Sequence, residues 1–245
     1  MKLFYLCILS ISFLFSCSDA SDVEVLNSSR VGLSYSNKLS DSTSLISPFN
    51  PANSYDYVGQ LHHELYIEYY ALQNDSLSLS KVITKVEALA NQNAIFESYF
   101  VTPYHFYGVN EVSNLLACDT LCIDTILASS ALTIVAKNKM KTFLTDFHFH
   151  FEKNIESGPV LEYVFQFENQ IMNSKDLLES DKAILLSTTS IARFSVFESK
   201  RRPKKNTDPD WDSLITNLLG NIIGSDYGIE NGLTSSLICG ILSNQ

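Results

Sequence analysis

Residues 180–200 read SDKAILLSTTSIARFSVFESK, and this stretch carries the clearest helical pattern of the chain. Its first two residues, Ser180 and Asp181, are of the types that cap the N-terminus of a helix. The residues that follow supply enough apolar bulk for a core: Ile184, Leu185, Ile191, Phe194 and Val196. We therefore predict a long helix here that serves as a core element.

Helical patterns extend from this stretch toward the N-terminus. Apolar residues spaced by three and four predict one amphipathic helix around residues 58–72 and a second over 82–100, which Pro103 ends. A short helix over 110–117 and another that begins at residue 119 or 120 and reaches 141 follow. These patterns predict an all-α fold, a helical bundle of about five to seven helices, with a helical domain over residues 53–200.

Residues 143–167 leave two interpretations open. The runs FHFHF at 147–151 and YVFQF at 163–167 alternate with period two, as strands do, and ESGP at 156–159 would form the turn of a hairpin. Alternatively, Pro159 takes the first position of a helix that carries Phe165, Glu168 and Ile171. We favour helices because the flanking segments are helical, and an α+β fold with a β-hairpin within 143–167 is the alternative.

A basic linker at 201–208 leads to a C-terminal segment, 209–245, in which four glycines recur at every fourth residue: Gly220, Gly224, Gly228 and Gly232. Residues four apart line one face of a helix, and a face of glycines lets another helix approach closely. Each glycine weakens a helix by about 1 kcal/mol relative to alanine, so such a glycine ladder needs a packing partner. The alternative is that DYG at 226–228 and NG at 231–232 form turns.

The N-terminus resembles a bacterial lipoprotein signal. Lys2 precedes an apolar run over 3–15, and Leu14 and Ser16 stand before Cys17 as in the lipobox. The resemblance implies a signal peptide at 1–16, lipidation of Cys17 and a membrane anchor formed by the attached acyl chains. Residues 17–52 are rich in Ser, Asn and Asp and predict a flexible tether.

The composition of the chain and the spacing of its candidate residues argue against several classes of function. The formal net charge of −10 argues against nucleic acid as a partner. Cys118 and Cys122 could close a disulfide loop in an exported protein, or stay as buried thiols. The HHE run that begins at His62 lacks the two histidines four apart that a zinc-protease helix requires. Without a motif for catalysis, a cofactor or a metal ion, the sequence predicts a protein that is not an enzyme.

Two further motifs resemble a family of Bacteroidota lipoproteins that has no assigned activity. Asn50-Pro51 followed by YDYVGQLH at 55–62 is similar to the family's opening N-P-Y-D-Y-V-G-x-x-H-N, and SIARFS at 190–195 is similar to its S-V/I-A-R-x-S helix. This chain departs from the family by inserting residues 52–54 and by carrying His63 in place of Asn. The resemblance implies a location and a helical architecture only. The turn from Tyr55 to His62 is suggestive in its own right, and Tyr57 and His62 are candidate binding residues.

An arginine among the apolar residues of a core helix needs an acidic partner. We predict that Arg193 pairs with Asp56, so that the pair ties the first helix to the penultimate one.

These inferences predict a surface-exposed outer-membrane lipoprotein that binds or assembles without catalysis. Its partners would be the membrane, through the lipid anchor, and a second copy or another protein, through the C-terminal segment. The glycine ladder also resembles the tails of pore-forming bacteriocins. The alternative function is therefore a membrane-active effector that inserts the C-terminal segment.

Overall fold

The computed structural model describes residues 47–72, 78–118, 122–154, 156–201 and 211–244, and within these ranges it contains ten α-helices and no strand. The helices are α1 (Asp56–Ala71), α2 (Leu79–Gln92), α3 (Ala94–Tyr99), α4 (Val109–Leu116), α5 (Ile123–Ser129), α6 (Ile134–Lys153), α7 (Ser157–Asn173), α8 (Glu179–Arg201), α9 (Trp211–Gly224) and α10 (Ile229–Ser243). The predicted all-α class is confirmed. The predicted count of five to seven helices is too low, because short helices fill the connections and the C-terminal segment forms two helices.

The β-hairpin alternative for residues 143–167 is wrong, because α6 and α7 cover nearly all of this segment. The aromatic residues of α6 that face inward are four apart, at Phe143, Phe147 and Phe151, whereas Phe149 is exposed. The ring of Phe143 lies 4.6 Å from that of Phe167 on α7, measured between centroids. The alternation in the sequence therefore arises because a further aromatic residue, Phe149, lies on the solvent side of the helix.

Helix α8 lies at the centre of the bundle, as the sequence of residues 180–200 predicts. Every residue from Ile184 to Phe194 is buried, although the run contains two serines, two threonines and an arginine. Helices α1, α7 and α9 pack around α8. A helix buried on all sides must satisfy its polar side chains within the protein, and this requirement shapes the candidate site.

Helices α9 and α10 form an antiparallel hairpin around a 3-10 turn at Ser225–Tyr227. Gly220 and Gly224 of α9 lie against α10, and Gly232 of α10 lies against α9. Gly228 is not a helix-packing residue, because it ends the turn with φ of +123°. The structure therefore has a hairpin in place of the single glycine-lined helix. The turn alternative agrees with the structure at 226–228 but not at 231–232, which lie within α10.

The hairpin is enclosed by the rest of the bundle. Every residue from Asn231 to Ile241 is buried, and α10 contacts α1, α2, α4 and α8 besides α9. Among the helices that the structure describes, none combines the length and the apolar character needed to span a membrane.

Candidate functional site

The most organised polar centre of the fold surrounds Arg193, whose side chain is completely buried. Its Nη2 lies 2.5 Å from Oδ1 of Asp56, and its Nε lies 3.0 Å from Oε1 of Glu168. Its Nη1 donates a hydrogen bond to the carbonyl oxygen of Pro48. The predicted neighbours Arg193 and Asp56 are therefore brought together, and the arginine also joins α7 to the residues before α1.

Glu168 is the second buried charge of this centre, and amides and a hydroxyl surround it. Its Oε1 accepts hydrogen bonds from Asn53 Nδ2 at 2.8 Å and from Thr189 Oγ1 at 2.8 Å. Its Oε2 accepts a bond from Asn50 Nδ2 at 2.6 Å. A buried ion pair is stable only when its remaining hydrogen-bonding capacity is satisfied, and both oxygens of this carboxylate are bonded.

Three partners of the centre belong to residues 47–55, which we call the strap because they precede α1 and lie across α7 and α8. Pro48, Asn50 and Asn53 all bond to charged side chains of the two helices. The predicted tether over 17–52 therefore extends too far, since its last residues belong to the folded domain. Residues 1–46, with the predicted signal peptide and Cys17, lie outside the described residues.

The sequence analysis did not predict Glu168 as the second acidic partner of Arg193, although the spacing of Glu168 on α7 indicates a buried position. On α7, Glu168 follows Val164 by four residues and precedes Ile171 by three, so it falls on the buried apolar stripe. A carboxylate in that position is almost never left unpaired. This spacing has a meaning only on a helix, and the sequence left both strand and helix open at 143–167.

Tyr57 is partly buried in a cluster of aromatic rings formed by Tyr55, Tyr57, Tyr99 and Phe100. We call these four residues, together with the adjacent Val101, the tyrosine corner. The ring of Tyr57 is stacked on that of Tyr99, with centroids 4.0 Å apart. Tyr99 is 53% exposed and Val101 is 87% exposed. Burial, with smaller effects from Tyr55, Tyr99 and Glu230, raises the pKa of Tyr57 to about 12, so its hydroxyl stays protonated and can donate a hydrogen bond.

His62 does not share this surface, because its side chain is only 3% exposed. Burial, with a smaller effect from His63, lowers the pKa of His62 to about 3. The imidazole is therefore neutral at physiological pH, and its Nε2 has no hydrogen-bond partner among the described residues. Of the two candidate binding residues, the structure leaves Tyr57 accessible and places His62 in the interior.

The two cysteines considered as a disulfide in the sequence analysis have structural roles. Cys118 and Cys122 are joined by a disulfide between α4 and α5, whereas Cys239 is a buried free thiol. Among the described residues, no three histidine, cysteine or carboxylate side chains lie close enough together to hold a metal ion. The basic linker at 201–208 lies, beyond residue 201, outside the described ranges.

No protein-family model, curated protein or solved structure matches the chain. Its function must be inferred from its own residues.

Proposed function

We propose that this chain is a lipoprotein of the outer membrane, anchored through Cys17, whose folded domain binds or assembles with a protein partner without catalysis. The observation that carries the proposal is the fixation of the strap by the centre around Arg193. The strap is the point at which the predicted membrane tether joins the fold.

The first residues of the strap are attached to the helices by hydrogen bonds to buried charges. Pro48 and Asn50, the first strap residues with buried partners, bond to Arg193 and Glu168. Leaving a buried polar group without a hydrogen-bond partner costs about 1–3 kcal/mol, and more when the group is charged, so these contacts resist detachment of the strap. Among the described residues, the hydrogen bonds of Arg193 and Glu168 all go to protein groups, as in a structural centre.

The tyrosine corner is the surface that we propose for the partner. Aromatic side chains are enriched at protein interfaces, where they supply much of the binding energy at a small entropic cost. The C-terminal segment was the predicted assembly surface, but the bundle itself covers α10. We therefore transfer the assembly role from the hairpin to the tyrosine corner.

Membrane attachment is tested by Cys17→Ser, with Cys7→Ser as the matched control inside the signal peptide. The native chain and the Cys7→Ser variant should sediment with the outer membrane and carry the added mass of the acyl chains. The Cys17→Ser variant should lack both properties. A Cys17→Ser variant that still carries the lipid mass would contradict the anchor.

Assembly is tested by light scattering of the full chain in detergent and by photo-cross-linking in cells from a label at residue 99. The comparison position is 107, because Tyr107 is also exposed but lies outside the corner. We expect one discrete cross-linked species, or a discrete oligomer, that depends on residue 99. Equal cross-linking from both positions would count against the corner.

The membrane-active alternative requires the hairpin to leave the bundle, and one substitution separates the two functions. A side chain at Gly224 would meet the carbonyl oxygen of Asn231 at 2.6 Å. Under our proposal, Gly224→Leu destabilises the domain. Under the alternative, the same variant would remain folded and would lose its ability to make liposomes leak.

A further inference from the structure

A groove of about 380 Å³ lies between α6 and α7, away from the strap and the tyrosine corner. Helix α6 contributes one wall, with Asn138, Lys139, Thr142 and Asp146, and α7 contributes Tyr163, Gln166 and Gln170. The buried side chains of Phe167 and Ile171 form an apolar floor. This volume lies within the range of small-ligand sites, which combine apolar surface with a few polar groups.

The two ends of the groove carry opposite charges. Lys139 and Asp146 are seven residues apart on α6, so they share a face and are separated by about 10 Å along the helix axis. The neighbouring lysines are already engaged, because Lys137 Nζ donates to the carbonyl oxygen of Ala128 and Lys141 pairs with Asp124. Lys139 has no such partner among the described residues, so its charge is available to a ligand.

The groove is also lined by side chains that can both donate and accept hydrogen bonds: Asn138, Thr142, Gln166 and Gln170. Within the described part of the chain, no protein group occupies these four side chains. One turn further along α7, by contrast, the amide side chains bond to each other, because Asn173 Nδ2 donates a hydrogen bond to Asn169 Oδ1 at 2.9 Å. The groove therefore retains hydrogen-bonding capacity of the kind that pairs with peptide N–H and C=O groups.

The wall at Tyr163 is held rigidly. Its ring is stacked on that of His150, with centroids 4.5 Å apart, and its hydroxyl donates to the carbonyl oxygen of Phe143 at 3.4 Å. A site whose walls are already ordered loses less entropy when it binds a ligand.

We propose that this groove binds a short zwitterionic peptide of two or three residues, with its carboxylate on Lys139 and its ammonium group on Asp146. An extended chain spans at most about 3.3–3.6 Å per residue, so a tripeptide matches the separation of the two charges. The four amide and hydroxyl side chains bond to the peptide backbone, and the floor accepts an apolar side chain. This inference does not depend on the lipid anchor or on the tyrosine corner.

The test is isothermal titration calorimetry on the purified full chain in detergent. The probes are Ala-Leu-Ala, its N-acetylated form, its C-terminal amide and a neutral trisaccharide. We expect Ala-Leu-Ala to bind and each blocked form to bind about tenfold more weakly, because each block removes one charge-assisted hydrogen bond.

Two variants assign the ends of the peptide. Lys139→Gln should weaken binding and make the protein insensitive to the C-terminal amide, and Asp146→Asn should do the same for the N-acetyl group. Lys141→Gln is the control, since Lys141 pairs with Asp124 outside the groove. The proposal is overturned by equal binding of blocked and free peptides, by preference for the trisaccharide, by absence of peptide binding, or by variants that bind like the native chain.

Discussion

The amide nitrogen of Gly59 donates a hydrogen bond to Oγ of Ser190 at 3.0 Å, where α1 and α8 cross. The same hydroxyl donates to the carbonyl oxygen of Asp56 at 2.9 Å. A Cβ atom at position 59 would overlap the backbone of Ser190, so glycine sets the distance between the two helices. This crossing lies beside the Arg193 centre and holds α1 against the core.

Gly59→Ala should therefore destabilise the protein by about 1–3 kcal/mol, the usual cost of overpacking a core. Without the overlap, the substitution would instead stabilise α1 by about 1 kcal/mol through helix propensity. Urea unfolding followed by circular dichroism measures the difference. Gln60→Ala, on the adjacent and more exposed position of α1, is the control and should change stability by less than about 0.5 kcal/mol. A stabilised Gly59→Ala variant would show that the helices do not meet here.

In the α9–α10 hairpin, Gly240 and Asn217 form a pair in which one substitution should relieve the effect of the other. A Cβ atom at Gly240 of α10 would overlap the side-chain amide of Asn217 on α9. Gly240→Ala alone should reduce stability, because the buried amide of Asn217 must shift to make space for the new methyl group. In the Asn217→Ala background the same change should cost much less, since the obstructing atoms are absent. The free energies of unfolding of the native chain, the two single variants and the double variant measure this coupling, and additivity within about 0.5 kcal/mol would contradict the packing.

Buried His62 predicts a specific pH dependence. Its pKa in the folded state is about 3, below the ordinary value of 6.5, so the unfolded chain takes up the proton first as pH falls. The contribution of His62 to stability is complete above about pH 6.5 and is lost toward pH 3, by at most about 1.4 kcal/mol per pH unit.

Between pH 6 and pH 4, the free energy of unfolding of the native chain should fall more steeply with decreasing pH than that of His62→Leu. The difference in slope should correspond to the uptake of about one proton on unfolding. The exposed His105 provides the control variant, His105→Gln, which should keep the native slope. If the native chain and His62→Leu have parallel pH profiles, His62 is accessible to protons in the folded state.

Two neighbouring strap residues form a matched pair for testing the strap. Asn53 is buried, and its Nδ2 donates to Glu168 at 2.8 Å and to the carbonyl oxygen of Leu186 at 3.1 Å. Asn53→Ala should cost about 2–3 kcal/mol and speed hydrogen exchange in the strap, because a buried charged acceptor loses a donor. Ser54 is exposed, so Ser54→Ala should leave both quantities nearly unchanged. Equal effects of the two variants would mean that the strap is not fixed by Glu168.

The sequence predicted one half of the Arg193 centre. An arginine in an apolar helix demands an acid, and Asp56 stood at the start of the first helix. Glu168 and the strap asparagines could not be selected in the same way, because their roles depend on how α7 approaches α8. Hydrogen bonds between residues more than 100 positions apart leave no periodic pattern in a sequence.

The glycine spacing shows a second limit of sequence reasoning. A period of four is compatible with one helix and with two helices that share a glycine-containing turn. The positive φ of Gly228 decides between them, and that angle follows from the packing of α9 on α10. In the hairpin, Gly220 and Gly224 lie within contact distance of α10.

A buried ion centre joins the strap to α7 and α8, and a double-mutant cycle between Arg193 and Glu168 measures its contribution to stability. The measurement is the free energy of unfolding in urea of the native chain, Arg193→Gln, Glu168→Gln and the double variant. We predict that each single variant is destabilised and that the double variant is more stable than the sum of the two losses by at least about 1.5 kcal/mol, because Arg193→Gln leaves the buried Glu168 without a cation, a cost that Glu168→Gln removes. Losses that add to within about 0.5 kcal/mol would contradict the ion centre and the strap attachment that depends on it.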